Sequence, residues 1–269
     1  MKTAVAVVSD HDPSRLVRAL KSAIEASADY VVAVVDMCSP VLGDLREAAS
    51  SIAKSIAVVE AEGGTCGRIK NAAIDHARNL ADYVVVMDGD DGLYPSAVES
   101  IERDLERAHY PDLLGHYAFD CWPDKVWGGC PAPPWQYGRS REANWGNASY
   151  VTAWRPFVFR DQTSLRYEAD VPSYSDGLLC YRALAAHQRG EADVWISFAI
   201  DVLAVDRNTP NSNQKRPNNL SVGADVLRWR RKQIVNESAS SPAELPAVWP
   251  NSPLMTADER RKWLADHSV

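Results

Sequence analysis

Four short apolar runs constrain this chain more than any other feature. TAVAVVS (3–9), YVVAVVD (30–36), SIAVVE (55–60) and DYVVVMD (82–88) are rich in β-branched residues, and each ends at a polar or acidic residue. Runs of that length and composition read as buried strands. Helical signals lie between them. Asp12 followed by Pro13 is an N-cap with proline at the first helical position, and Leu16, Val17, Leu20 and Ile24 keep a helical spacing. After the Gly63-Gly64 turn, Arg68 to Leu80 reads as a helix. Pro95 to Ala108 is another, with Val98, Ile101 and Leu105 on one face. The alternation predicts an α/β domain: one mostly parallel sheet flanked by helices.

Composition narrows the class of function. A chain of 269 residues with 46% hydrophobic and 24% charged residues can bury a sizeable core. A net charge of -7 argues against a protein that coats nucleic acid or lies on an anionic membrane. No run approaches the roughly 18 apolar residues needed to span a bilayer. The opening MKTAVAVVSDHDP has too short an apolar run for a signal peptide, so a cytoplasmic location is expected. Five cysteines (Cys38, Cys66, Cys121, Cys130 and Cys180) are widely spread without a C-x-x-C pair, as reduced thiols would be.

Beyond residue 110 the texture changes. Residues 120–156 are dense in tryptophan, proline and glycine with little periodicity, as a packed aromatic loop region would be, and such a surface also suits stacking of a planar or sugar ligand. Regularity returns with RPFVFR (155–160) as a short strand and SDGLLCYRALAAHQ (175–188) as a helix. DVWISFAIDVLAVD (193–206) reads as one long or two short strands. A polar, asparagine-rich stretch (207–221), a helix around 225–235 and a last helix at Thr256 to Asp266 complete the reading.

In an open parallel sheet, ligands bind beyond the carboxyl ends of the strands. Asp36, Glu60 and Asp88 each stand at such an end. Three carboxylates facing one crevice are costly unless a cation or a donor-rich ligand compensates them. Asp88-Gly89-Asp90-Asp91 is the sharpest feature, because Gly89 lets the backbone bend so that Asp88 and Asp90 can turn to one point. Oxygen-only ligation suits Mg²⁺ or Mn²⁺. Aspartates also cap helices and form Asx turns, and the spacing alone leaves both readings open.

The segment GRIKNAAIDHARNLADYVVVMDGDDGLYPSAVESI (67–101) resembles, in order and spacing, the central signature of the family 2 glycosyltransferases with the GT-A-type, nucleotide-diphospho-sugar-binding fold. There a glycine-rich turn, an A-R-N-x-G-like helix start and a strand ending D-x-D-D follow one another; here Lys70-Asn71-Ala72-Ala73 stands at the A-R-N-x-G position, with lysine for arginine. The resemblance covers residues 3–110 well and 155–221 more loosely. It implies metal-dependent, inverting transfer of a sugar from a nucleotide-diphosphate donor, a UDP-sugar in most relatives, to an acceptor hydroxyl. By position, Ser9, Asp10 and His11 would wall the nucleotide base and Asp36 would pair with it, although VVDMCSP replaces the usual two aspartates and glycine. Arg68, Lys70 and Asn71 would lie near base and diphosphate, Asp88 and Gly89 beside the ribose, and Asp90 would be the principal ligand of Mn²⁺ or Mg²⁺, with Asp88 as the second.

Further along, YSDGLLCYRAL is similar to the family's E-D motif at a helix start, with Ser175 in place of glutamate, which implies Asp176 as the general base; by position alone Asp176 reads as a helix N-cap. From Arg207 to Lys232 seven basic residues face one acid, Asp225. That stretch reads as a solvated face, as a lid with Arg207 over the diphosphate, or as a site for an anionic acceptor. Processive relatives carry Q-x-x-R-W, of which Asp225 to Trp229 keeps the last two letters, so polymer synthesis coupled to export is not expected. The resemblance divides the chain into a nucleotide-sugar-binding half (1–110), an acceptor-binding and catalytic half (111–222) and a helical tail (223–269). The acceptor could be a glycan, a small molecule or a modified base in DNA, as with phage-type hydroxymethylpyrimidine glycosyltransferases; a non-catalytic module that binds sugar nucleotides or glycans is the rival outside enzymes.

Overall fold

A computed structural model of the chain describes residues 1–9, 11–52, 56–116, 119–122, 156–170, 175–199, 201–206, 245–249 and 254–267. The four apolar runs form β1 (Thr3–Ser9), β2 (Tyr30–Asp36), β3 (Ala57–Ala61) and β4 (Tyr83–Asp88). Between and after them lie α1 (Pro13–Glu25), α2 (Leu42–Ile52), α3 (Cys66–Ala77), β5 (Gly92–Leu93) and α4 (Ala97–Arg107). The second half adds β6 (Leu113–His116), β7 (Phe119–Trp122), β8 (Phe157–Arg160), α5 (Ser175–Gln188), β9 (Val194–Ser197), β10 (Leu203–Asp206), β11 (Ala247–Val248) and α6 (Ala257–Asp266).

Eight strands make one sheet in the order β11-β9-β6-β8-β4-β1-β2-β3, parallel throughout except for β8, which runs antiparallel to both β4 and β6. The continuous apolar character of β1 follows from burial on both faces. Val5 and Val7 pack with Leu16 and Leu20 of α1, Leu45 of α2 and Ile101 of α4, while Ala4, Ala6 and Val8 pack with Ile69 and Ile74 of α3 and Leu179 of α5. The expected α/β fold is therefore the observed one, in three layers.

Local chemistry agrees at the helix starts. The Asp12 side chain accepts from the backbone N–H groups of Ser14 and Arg15, with Pro13 opening α1. Thr256 and Glu259 form a reciprocal capping box on α6. The run at 193–206 divides into two strands in different sheets, since β10 joins β5 and β7 in a separate three-stranded sheet. Helix α2 and the central strand β6 carry little signal: α2 buries only Leu45 and Ala49, and β6 is four residues long. The expected helix near 225–235, the aromatic region 123–155 and the basic stretch from Arg207 lie outside the described residues, as does Asp10.

Candidate functional site

From β1 the chain moves outward to β2 and β3, then returns to lay β4 on the other side of β1, so the strand order reverses between β1 and β4. That reversal opens a crevice at the carboxyl ends of the two strands, where Ser9 and Asp88 stand. Gly89 locks the strands together. Its N–H donates to the Val8 carbonyl at 2.7 Å, and a Cβ on it would lie 2.8 Å from both Ser9 Cβ and Val8 O, so no other residue fits without displacement.

The tight turn that follows gathers three carboxylates: ligand oxygens of Asp88, Asp90 and Asp91 all lie within 4.8 Å of one another. Asp91 is 2% exposed, and its N–H donates to the Asp88 carbonyl at 3.1 Å. Arg18 of α1 donates to the Asp90 carbonyl and fixes the turn from below. Three hard oxygen donors of like charge at this separation fit a Mg²⁺ or Mn²⁺ ion.

Opposite the cluster stands Lys70 of α3, 2% exposed. Its Nζ lies 2.8 Å from Asp88 Oδ1 and 2.9 Å from Asp176 Oδ1, and 5.2 Å from the centre of the Tyr167 ring. Burial works against its charge, but Asp176 and Asp88 outweigh that cost and hold the ammonium well above the ordinary lysine range. Asp176 sits in the first turn of α5, so one buried cation joins the two halves of the chain. The sequence carries a signal for the burial of Lys70, though not for its partner: it falls three, four and seven positions before Ala73, Ile74 and Ala77, on the buried stripe of α3.

A strap, residues 161–170, holds α3 from outside. Asn71 Nδ2 donates to the Tyr167 carbonyl at 3.0 Å, and Tyr167 N–H donates to Asn71 Oδ1 at 2.8 Å. Thr65, the N-cap of α3, donates to the Ala169 carbonyl. Gly67 is required beneath the strap, because a Cβ there would fall 1.9 Å from the Glu168 carbonyl oxygen. Arg68 turns outward and pairs with exposed Asp170 at 2.6 Å. Neither Gly67 nor Tyr167 is singled out by the sequence, since both act through partners about a hundred positions away.

The remaining expected residues divide. Asp36 is buried at the end of β2, where Oδ1 accepts from Cys38 N–H at 2.8 Å and Oδ2 from Gly64 N–H at 3.1 Å. Glu60 does not face the crevice: it is exposed and forms a bidentate pair with Arg46 of α2 at 2.5 and 2.6 Å, because β3 is the outer strand and its alternate side chains point away. The recess is lined by Lys70, Asp88, Asp91, Phe157, Tyr167 and Asp176 among others.

Neither a protein-family model nor a curated protein sequence matches the chain. Solved structures do. S. aureus TarS, residues 1–349, in complex with UDP-GlcNAc is similar over 88% of this chain and 71% of that chain, with a TM-score of 0.60 at 16% identity. Glucosyl-3-phosphoglycerate synthase from Mycobacterium tuberculosis, in complex with Mg²⁺ and UDP, is similar over 86% of this chain and 79% of that chain, with a TM-score of 0.54 at 14% identity. Its complex with Mn²⁺, UDP and phosphoglyceric acid gives a TM-score of 0.51 at 14% identity, over 87% and 76% of the two chains. At these identities the likeness shows the fold, which is of the GT-A type.

Proposed function

We propose that this GT-A-fold chain is a metal-dependent, inverting glycosyltransferase that takes a sugar from a nucleotide-diphosphate donor, a UDP-sugar in preference, and delivers it to an acceptor hydroxyl. One observation carries the reading. Asp88 and Asp91 of the acidic cluster and the carboxylate of Asp176 line a single recess at the strand-order reversal, close enough for one lysine to touch both sides. The nucleotide and divalent ions held by structures of the same fold support the choice of donor.

In this reading Asp90, Asp88 and Asp91 hold the divalent cation, which when bound supplies charge stabilisation for the departing diphosphate. Asp176 accepts the proton of the acceptor hydroxyl as its oxygen attacks the anomeric carbon. The bond from that carbon to the phosphate oxygen breaks on the opposite face, and the configuration inverts. Ser9, Asp36 and Gly89 form the nucleoside side of the crevice, with Arg68 and Asn71 on the neighbouring helix. The donor then belongs to residues 1–110 and the acceptor to 111–222. Tyr167 and Phe157 give the recess its aromatic wall.

Asp176→Asn tests the assignment. The variant is expected to keep the rise in melting temperature that a UDP-sugar with Mn²⁺ produces, and to lose transfer and donor hydrolysis by about 10²–10⁴-fold. A parent chain that binds donor and turns over none of it is a binding module instead. A parent that no nucleotide sugar stabilises in the presence of Mn²⁺ removes the donor site altogether.

A further inference from the structure

Lys70 is built into the molecule in a way that leaves its ammonium little freedom. Its backbone belongs to the middle of α3, its side chain is 2% exposed, and the Tyr167 ring lies 5.2 Å from Nζ. Two N–H groups are committed to Asp88 at 2.8 Å and Asp176 at 2.9 Å. The ammonium can shift its weight from one carboxylate to the other, but the packing of α3 and the strap holds it in the recess.

The two carboxylates differ in their other neighbours. Asp88 is a member of the three-carboxylate cluster, whereas Asp176 belongs to the far wall. A divalent cation and an ammonium drawn to the same carboxylate repel each other, so Lys70 opposes a cation at Asp88. Asp176 relieves that opposition by offering the ammonium a second anion.

We propose that Lys70 is a positioning residue that couples occupancy of the acidic cluster to the catalytic carboxylate: a cation at Asp88 drives the Lys70 ammonium onto Asp176 and fixes it in place, and Asp176 in turn eases entry of the cation. This rests on the reading of Asp88–Asp91 as the cation site and of Asp176 as the base. The coupling is reciprocal, as linkage between two binding events requires. Its consequence is that Asp176 holds the Lys70 ammonium alone when the donor site is charged and shares it with Asp88 when it is not.

The test is a Mn²⁺ titration of the full chain without donor, followed by the electron paramagnetic resonance signal of free Mn²⁺, on the parent, Lys70→Met, Asp176→Asn, the double variant and Lys70→Arg. Lys70→Met is expected to bind Mn²⁺ about tenfold more tightly than the parent, although it removes the cation that balances the two walls and lowers turnover at little change in donor KM. Asp176→Asn, which leaves the ammonium to Asp88 alone, is expected to weaken Mn²⁺ binding several-fold, and to do so much less in the Lys70→Met background. Lys70→Arg restores an affinity near that of the parent and part of the turnover.

Three results overturn the proposal: Lys70→Met binding Mn²⁺ no more tightly than the parent, Asp176→Asn weakening it equally in both backgrounds, or neither the parent nor Lys70→Met binding Mn²⁺ at all. Should Lys70→Met fail to fold, an unchanged Mn²⁺ affinity in Asp176→Asn alone is enough to discard the coupling. Failure of the glycosyltransferase reading appears elsewhere, as absence of nucleotide-sugar binding, on which these titrations do not depend.

Discussion

Asn71 and Tyr167 grip each other through a reciprocal pair of hydrogen bonds, 3.0 Å from the amide to the carbonyl and 2.8 Å from the backbone N–H to the amide oxygen. The pair fastens the strap to α3 and so presents the Tyr167 ring to Lys70. Asn71→Ala strands two backbone groups and is expected to cost about 2 kcal/mol or more of unfolding free energy, measured by denaturant titration. Asn71→Asp keeps the acceptor but sets a carboxylate against a carbonyl, and is expected to be no better than alanine.

Two glycines in helices give opposite outcomes. Gly67→Ala places a methyl group 1.9 Å from a backbone oxygen of the strap, which must lift, and a loss of about 1–3 kcal/mol is expected. Gly43→Ala, in α2 with nothing within 4 Å, is expected to raise stability by about 0.5–1 kcal/mol. Equal melting temperatures for the two variants would contradict the described seating of the strap.

Burial lowers the pKa of His116 to about 4, against an unfolded value near 6.5. The folded chain therefore disfavours the proton that the unfolded chain accepts. This group costs nothing above pH 6.5; its penalty grows as pH falls and reaches about 3 kcal/mol near pH 4. Unfolding free energies at pH 7 and pH 4.5 should converge for His116→Asn relative to the parent, after the common acid loss is subtracted.

Donor binding should depend on the acidic turn. With a UDP-sugar at about 100 times its Kd and excess Mn²⁺, the parent is expected to gain about 3 kcal/mol of stability. Chelation, or Asp90→Asn, should remove most of that gain while leaving the melting temperature of the free protein nearly unchanged. A gain that survives both treatments would rule out a cation-dependent donor site.

The legible parts of this molecule are its local ones. β1, β2 and β4 announce themselves because each is buried on both faces, and α1 and α6 because their caps, Asp12 and Thr256, are sequence-adjacent to what they bond. The turn at Asp88–Asp91 is legible for the same reason. Lys70 is a different case: its bond to Asp176 spans 106 positions, and Asn71 meets Tyr167 across 96. No periodicity reports a partner at that distance, so the helix could be read while the use of its buried lysine could not. Glu60 shows the converse error, for a strand-end position says nothing about which way the side chain turns, and a neighbouring Arg46 claimed it.

The antiparallel strand β8 has a consequence in time. It is slotted between β4 and β6, yet it leaves the ribosome about 70 residues after β4, roughly 4–14 s later at ordinary synthesis rates. Throughout that interval the edge of β4, carrying the run YVVVMD, has no neighbour on that side and offers an apolar template to any passing strand. The yield of folded protein should therefore respond to synthesis rate and to chaperones that shield strand edges, with the crevice at the β1–β4 reversal finished only when the second half of the chain has arrived to close it.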